Sequence, residues 1–255
     1  MCIRDSSYSW EPCNEQIWLE DFESYDDSNI DSQSSDWIGW DNSNSGVDVT
    51  DDFANGTDAG FMSNQSILVE QDDDLVHEFS DINSGSGELI FYMYIPSSGN
   101  AGAYYNILHD YAAADSNWAF EVFFASADSG EQSYLELDAP VYFDAIYDNW
   151  IEVRNEIDID NNIITLYYNN NMIANWDWSD GSAGDSSVLG ALNLYGFCAG
   201  SGCVGQSWYD NIELCGFSNN NTDISEQNVI ESIISVSYTH LRAHETKANL
   251  VCRLL

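Results

Sequence analysis

Three carboxylates, Glu156, Asp158 and Asp160, recur at alternate positions in one short segment. Two carboxyl groups can cleave a glycosidic bond with retention of configuration when they lie about 5–5.5 Å apart. In an extended strand, however, the Cα atoms of Glu156 and Asp160 are four steps and therefore about 13 Å apart. Asp160 also runs directly into the turn that follows. We therefore interpret this row as the solvated face of a strand, because ionised side chains are rarely buried.

A second set of residues, on two neighbouring predicted strands, has the chemistry of a sugar-binding surface. Sugar rings bind by stacking on aromatic side chains, while amides and carboxylates bridge their hydroxyls. Alternation puts Tyr105 and His109 on one face of their strand and Asn106 on the other, so not all candidates can line one groove. The alternative is that the Trp and Tyr rings pack in the core. The candidates are Tyr105, Asn106, His109, Trp118 and Glu121. Two further aromatic pairs are alternative platforms, Trp176 with Trp178 and Tyr195 with Phe197.

The charge balance argues against several other partners and reactions. Five Lys and Arg residues against 44 Asp and Glu residues give a net charge of −39, which repels nucleic-acid phosphates and anionic lipid. Arg154 is the only basic residue outside the two end segments, so no basic groove is available to a uronate lyase. Neither His77 nor His109 lies near a G-x-S-x-G nucleophile elbow, so no serine triad is predicted. No apolar run approaches the roughly 20 residues of a membrane helix.

The elements that must position these residues are short strands. Segment 149–178 predicts three strands and two tight turns, because Ile151, Val153 and Ile157 alternate with charged residues and the turns contain Asn, which tolerates positive φ. Many short strands with almost no helical periodicity predict an all-β, two-sheet antiparallel jelly-roll sandwich. The remaining strands are predicted at 17–22, 36–41, 47–53, 65–70, 75–79, 88–95, 103–109, 118–125, 134–138, 141–143, 188–197 and 207–214.

The hairpin resembles that of the concanavalin A-like lectin and glucanase family. There, a strand that opens with Trp runs into an acidic turn and then into the pattern L-Y-x-N-G. Trp150, Leu166, Tyr167 and Asn169 stand at these places, and Asn170 replaces the Gly. The resemblance implies a concanavalin A-like sandwich.

This resemblance covers about residues 13–215 and implies carbohydrate binding or carbohydrate hydrolysis. The laminarinase and lichenase branch carries the motif Glu-x-Asp-x-x-Glu, in which Glu156 would stand at the nucleophile position. Asn161 occupies the place of the last Glu, so the acid/base partner of Glu156 is unidentified.

Two acidic strand ends also resemble those of MAM domains and jelly-roll carbohydrate-binding modules. The segments are Asp21-Phe22-Glu23 near the first strand and Asp210-Asn211-Ile212 near the last. The resemblance implies that Glu23 and Asp210 are ligands of a structural Ca²⁺, with backbone carbonyls completing six to eight oxygens. Simple solvent exposure of both carboxylates is the alternative.

Four cysteines lie within the predicted sandwich, and four cysteines permit three pairings. Cys198 and Cys203 bracket a short loop that a disulfide could close. Cys13 and Cys215 flank the first and last strands, which often lie side by side in such sandwiches. We predict both disulfides and therefore an oxidising, extracellular setting. A zinc site is the rival interpretation, but no C-x-x-C pair or nearby His supports it.

The ends differ sharply in composition from the rest, because they hold four of the five basic residues. Residues 1–6 and 236–255 resemble translated sequencing-adapter sequence and are excluded from the fold. Residues 216–235 are interpreted as a linker and the start of a truncated sorting domain, since 223–236 resemble the opening of a type IX secretion signal. The alternative is a frayed polar terminus.

We interpret the chain as a non-catalytic, extracellular carbohydrate-binding or adhesion module. Its partner would be a polysaccharide or other glycan, and it would be a monomeric domain within a longer surface protein. The alternatives are a laminarinase-type glycoside hydrolase that uses Glu156, and a structural spacer domain. Binding rests here on family analogy alone.

Overall fold

The computed structural model describes residues 13, 15–51, 60–180 and 186–217. The predictions for residues 1–6, 218–235 and 236–255 lie outside these ranges.

Fifteen β-strands and three short 3-10 turns make up the secondary structure of the described ranges. Within them, no helix is long and apolar enough to cross a membrane. The strands are β1 (Gln16–Glu20), β2 (Trp37–Gly39), β3 (Asp48–Thr50), β4 (Ser66–Glu70), β5 (Asp74–Ile82), β6 (Ser86–Tyr94), β7 (Ala101–Asp110), β8 (Asn117–Phe124), β9 (Ser133–Glu136), β10 (Val141–Phe143), β11 (Trp150–Asp158), β12 (Ile163–Tyr168), β13 (Asn171–Asp177), β14 (Leu189–Tyr195) and β15 (Val204–Gly216).

These strands form two antiparallel sheets. Sheet A has the order β4-β15-β6-β11-β12-β13, with β3 beside β4 and β1 beside the second half of β15. Sheet B has the order β2-β5-β14-β7-β8-β9-β10. A two-residue parallel bridge between β7 and β15 links the sheets. The predicted all-β jelly-roll sandwich is therefore confirmed.

The predicted meander forms β11, β12 and β13 at one side of sheet A. Ile151, Val153 and Ile157 are buried, and their charged neighbours point away from the core. In the turn between β12 and β13, Asn169 has φ +50° and Asn170 has φ +59°. Asn adopts this left-handed conformation more readily than most residues, so it can stand where the family pattern has Gly.

Large aromatic side chains fill the space between the sheets. Phe91 of sheet A packs edge-on against Tyr105 of sheet B at a ring distance of 5.0 Å, and both are fully buried. The Tyr105 hydroxyl donates to Asn155 Oδ1 at 3.2 Å, and Asn155 Nδ2 donates to the Leu89 carbonyl. The buried polar atoms on this path are thus hydrogen-bonded, as a closely packed interior requires.

Both predicted disulfides are present. Cys13–Cys215 joins the segment just before β1 to β15, with Cα atoms 6.2 Å apart. Cys198–Cys203 closes the loop between β14 and β15, with Cα atoms 5.9 Å apart. The first disulfide reflects the antiparallel pairing of β1 with β15, which brings the two ends of the sandwich together.

Candidate functional site

The face of sheet B that points away from sheet A carries a dense group of aromatic and polar side chains. On β7, Tyr105 and Ile107 belong to the core between the sheets, whereas Leu108 belongs to a separate apolar cluster. Tyr104, Asn106 and Leu108 therefore lie on the outer face. Across the sheet, Tyr104 pairs with Phe123 and Tyr195, Asn106 with Glu121 and Asn193, and Leu108 with Trp118 and Ala191.

One end of this face carries an aromatic group that we call the Tyr195 cluster: Tyr104, Phe123, Tyr134, Tyr195 and Phe197. The rings of Tyr195 and Phe197 are stacked, 6.2 Å apart with an interplanar angle of 10°. Tyr104 meets Tyr195 edge-on at 5.9 Å, and Phe123 stacks on Tyr134 at 4.7 Å. Tyr195 is partly exposed and Phe197 is 37% exposed, so this end offers ring surface to solvent.

The other end carries the Trp118 cluster, which comprises Trp40, Tyr111 and Trp118. Trp40 stacks on Trp118 at 6.0 Å and meets Tyr111 edge-on at 5.2 Å. The three rings are partly exposed and pack against the buried side chains of Val76, Leu108 and Ala191. The arrangement fixes each ring by contact with the sheet beneath it.

A polar network extends from the Tyr195 cluster into the space between the two clusters. Asn106 Nδ2 donates to Asn193 Oδ1 at 2.7 Å, and Asn193 Nδ2 donates to Asp74 Oδ1 at 2.6 Å. The Tyr104 hydroxyl donates to Glu121 Oε1 at 2.7 Å. Burial raises the pKa of Asp74 to about 6, against the opposing effect of the hydrogen bond from Asn193. Burial also raises the pKa of Tyr104, and the charge of Glu121 adds to the effect.

The structure divides the predicted sugar-binding set between two faces. Asn106, Trp118 and Glu121 lie together on the outer face of sheet B, where Trp118 and Glu121 are partly exposed. Asn106 is 1% exposed and is hydrogen-bonded to Tyr104 and Asn193, so it supports this face from within rather than meeting a ligand. Tyr105 points into the core and is fully buried, and His109 is 1% exposed, so neither side chain is accessible to a ligand. His109 Nδ1 lies 2.7 Å from the Val188 carbonyl, and burial lowers the pKa of the ring.

The alternative aromatic platforms also divide. Trp178 is fully buried, and Trp176 packs edge-on against Phe120 of the core at 5.2 Å. Tyr195 and Phe197 lie on the outer face of sheet B. Sequence reasoning missed Tyr104, Asp74 and Asn193 as members of this face, although alternation along β7 places Tyr104 beside Asn106.

The carboxylate of Glu156 points outward from sheet A, on the opposite side of the molecule's core from these clusters. Glu88 on β6 lies directly opposite it in register. Arg154 forms an ion pair with Glu156, and its guanidinium lies 3.5 Å from Glu88 and 3.4 Å from Glu152. The same guanidinium lies 4.2 Å from the centre of the Tyr167 ring.

Asp160 lies in the turn after β11, where its Oδ1 accepts from the Gly85 amide at 3.0 Å. The sequence had offered this residue as a partner for Glu156. The carboxylate neighbour of Glu156 is therefore Glu88 rather than Asp160. A pocket of about 390 Å³ lies beside this pair. It is lined by Ser86, Gly87, Glu88, Glu156, Ile157, Asp158, Ile163 and Thr165.

Glu23 and Asp210 both hold the same loop, residues 60–65. Glu23 Oε1 accepts from the amides of Asn64 and Gln65 at 2.8 and 2.7 Å. Asp210 Oδ2 accepts from the Phe61 amide and the Ser63 hydroxyl, both at 2.6 Å. Burial is the largest cause that raises the pKa of Asp210, to about 7, and the nearby charge of Glu23 adds a smaller effect. The three hydrogen bonds that Asp210 accepts oppose the shift.

This donor set fits a hard cation in its chemistry, since both side chains are carboxylates and one of them is deeply buried. In the described residues, however, backbone amides and a hydroxyl already satisfy these oxygens. The one cluster of three metal-binding side chains found there is Cys13, Glu213 and Cys215, whose sulfurs form a disulfide. Calcium at Glu23 and Asp210 stays a prediction.

A second cavity, of about 520 Å³, opens beside β1, β2 and β5. His77 lines it, stacked on Trp18 at a ring distance of 4.0 Å. Its Nδ1 lies 3.0 Å from the Asp36 carbonyl. Burial lowers the pKa of His77 to about 4, so the ring is neutral at pH 7.

The fold and this face together define a jelly-roll β-sandwich with an aromatic outer sheet. Comparison with known protein families and with curated proteins finds no match. Among solved structures, the chain is similar to the cellulose induced protein Cip1, at 14% identity over 77% of this chain and 96% of that one, with a TM-score of 0.52. This likeness shows the fold alone.

Two other solved structures are more distant. The catalytic domain of a glycoside hydrolase family 131 protein from Coprinopsis cinerea is 10% identical over 79% of this chain and 94% of that one, with a TM-score of 0.48. The ligand binding domain of Botulinum neurotoxin serotype D, solved with N-acetylneuraminic acid, is 11% identical over 82% of this chain and 49% of that one, with a TM-score of 0.47.

Proposed function

We propose that this chain is a carbohydrate-binding module that holds a glycan on the outer face of sheet B. The observation that carries the proposal is the stacked, solvent-facing pair Tyr195 and Phe197 beside a polar network of carboxylates and amides. Aromatic rings supply apolar surface for the C–H face of a sugar. Partly exposed Asp74 and Glu121 supply acceptors for its hydroxyl groups.

The polar side chains of this face are already ordered without a ligand, which suits a binding surface. Hydrogen bonds from neighbouring side chains fix Tyr104, Asn106 and Asn193, so the ordering of these groups is complete before a ligand arrives. The name of the similar cellulose induced protein is compatible with a carbohydrate context. The two disulfides support an extracellular location, where such bonds persist.

The test is binding to a glycan array, followed by calorimetry on the best ligand. We expect Tyr195→Ala and Phe197→Ala each to weaken binding by about tenfold, the upper range for loss of one aromatic contact. Tyr167→Ala is the matched control, because that ring is also partly exposed but lies on the outer face of sheet A. Equal losses in all three variants, or no glycan bound by the wild type, would remove the proposal. Absence of binding would leave the spacer-domain alternative.

A glycoside hydrolase is the second candidate, and the pairing of Glu156 with Glu88 favours it. Residues directly opposite in an antiparallel pair have Cβ atoms about 4.5–5.5 Å apart, and from there two Glu carboxyl groups can reach the separation of about 5–5.5 Å that a retaining pair needs. Arg154 binds both carboxylates, however, and this opposes their use as acid and nucleophile. Release of reducing sugar from β-glucan that Glu156→Gln and Glu88→Gln both abolish would establish the hydrolase, whereas no release by the wild type would exclude it.

We also propose that Glu23 and Asp210 bind Ca²⁺ as a structural ion. The support is the chemistry of two carboxylates close enough for the charge of Glu23 to raise the pKa of the buried Asp210, a repulsion that a cation would remove. The ion would have to replace the hydrogen bonds that these oxygens now accept from residues 61–65. Ca²⁺ should raise the thermal midpoint of the wild type, and Asp210→Asn should abolish the increase. The same response to Ca²⁺ in both proteins would contradict this assignment.

A further inference from the structure

The outer face of sheet B offers two aromatic clusters rather than one. Tyr104, in the Tyr195 cluster, and Leu108, opposite Trp118, lie four residues apart on β7. Four strand steps correspond to about 13 Å. This distance exceeds the length of one sugar ring, so a ligand in contact with both clusters must be an oligosaccharide. Glu121, which is partly exposed and pairs with the buried Asn106, lies between the clusters, at the position of the ligand's middle rings.

The face between and around the clusters is acidic. In register, Glu121 lies opposite Glu136 on β9, while β5 contributes Asp74 opposite Tyr195 and Glu78 opposite Ala191. After burial, the charges of Glu78 and Asp74 are the next causes that raise the pKa of Tyr111, and those of Glu136 and Glu121 raise the pKa of Tyr134. These carboxylates therefore act directly on both aromatic groups.

No positive charge offsets this field on the described part of the chain. Within residues 13, 15–51, 60–180 and 186–217, Arg154 is the only Lys or Arg, and it lies on the outer face of sheet A among Glu88, Glu152 and Glu156. His77 and His109 are buried in or beside the core. A carboxylate or sulfate on a ligand would thus meet only like charges here.

We propose that the outer face of sheet B selects an uncharged oligosaccharide that bridges the Tyr195 and Trp118 clusters, and that it rejects uronate and sulfated glycans. This inference rests on the proposed function, and it adds the charge class and the minimum size of the ligand. Rejection follows from like-charge repulsion at a surface without a counter-charge. Size dependence follows from two contact points on one rigid sheet.

The experiment is calorimetric titration with two ladders of oligosaccharides, from one ring to six, one built from neutral hexoses and one from uronates. The neutral sugar is the one that binds best on the array. For the neutral ladder we expect affinity to rise until both clusters are filled and then to level off. For uronates we expect binding at least about tenfold weaker at low salt, with the gap narrowing at 1 M salt, where the Debye length falls to about 3 Å.

Variants separate the contributions. Trp118→Ala should weaken the longer neutral ligands and leave the shortest ones unchanged, and Trp40→Ala should act in the same way if Trp118→Ala fails to fold. The double variant Glu78→Gln with Glu136→Gln should reduce the difference in affinity between neutral and uronate ligands several-fold, and it should leave the affinity for neutral ligands unchanged.

The outcomes distinguish the two levels of the proposal. No binding of any glycan removes the proposed function itself. In a second outcome, neutral sugars bind in a way that Tyr195→Ala abolishes, while ligand length, Trp118→Ala and Trp40→Ala have no effect on affinity. That result would support the proposed function and overturn the two-cluster inference. Uronates that bind as well as neutral sugars overturn the charge selectivity.

Discussion

Removing the Cys13–Cys215 disulfide should destabilise the fold far more than removing Cys198–Cys203. The two bonds close loops with sequence separations of 202 and 5 residues. In the chain-entropy description, a cross-link restricts the unfolded chain more when its loop is longer, which gives about 5 kcal/mol for the first bond and about 2 kcal/mol for the second. Because a domain is stable by only about 5–15 kcal/mol, the first loss is a third or more of the total.

The assay is urea unfolding of the wild type and of two double variants, Cys13→Ser with Cys215→Ser, and Cys198→Ser with Cys203→Ser. The long-loop variant should unfold at a much lower urea midpoint, and a thiol reductant should destabilise the wild type by about the combined amount. Glu213 adds to the loss expected in the long-loop variant, because its carboxylate is buried beside the bond and accepts from the Cys13 amide at 3.3 Å. Equal losses in the two variants, or a larger loss in the short-loop variant, would refute the reasoning.

Three further changes test the interior. Asp210 has a pKa of about 7 in the folded chain, against an ordinary value of 3.8. Between pH 4 and 7 the folded chain therefore binds more protons at Asp210 than the unfolded chain does, and the contribution of Asp210 to stability falls by up to about 4 kcal/mol as pH rises. In urea titrations, chelator-treated Asp210→Asn should lack that fall. His77 has a pKa of about 4 in the folded chain, against an ordinary value of 6.5. Its contribution to stability is therefore lost, by up to about 3 kcal/mol, as pH drops from 6.5 to 4. The free energy of unfolding of His77→Phe should fall less over that pH range, and an unchanged dependence of stability on pH would contradict the assignment. Phe91→Ala removes a fully buried ring and should cost about 3–5 kcal/mol in the same assay, whereas a loss below about 1 kcal/mol would contradict its central place in the core.

The fold could be predicted where the signal is local. Alternation in β11 and Asn in both adjoining turns are properties of neighbouring residues, so the meander was predicted with its faces correct. Strand lengths depend on partners distant in sequence. The last strand was predicted at 207–214, but β15 runs Val204–Gly216, because it pairs along its length with β1, β4, β6 and a short part of β7.

The site was harder to predict because β7 is buried on both faces. Eight consecutive residues from Gly102 to His109 are buried, so burial alone gives no sign of which face meets the opposite sheet. Alternation correctly separated Tyr105 and His109 from Asn106. It could not show that the Asn106 face is the outer one, because the Trp118 cluster that covers Leu108 comes from other strands and loops.

The two sheets differ in what covers their outer faces, and this difference supports sheet B as the binding surface. On sheet A, Phe61 from the loop 60–65 stacks on Tyr92 at 3.7 Å, and Arg154 joins three carboxylates beside Tyr167. The partly exposed rings of Tyr92 and Tyr167 are thus already in contact with other side chains of the chain.

On sheet B, by contrast, Tyr142 is 60% exposed and Phe197 is 37% exposed, next to the stacked rings of the Tyr195 cluster. Exposed apolar surface contributes nothing to folding and favours self-association, so a contiguous patch of it indicates a binding site. The acidic residues around the patch keep copies of the chain apart by mutual repulsion. A neutral, hydroxyl-rich ligand is not repelled in this way, because it carries no charge. It also brings C–H surface for the rings and hydrogen-bond donors for the carboxylates.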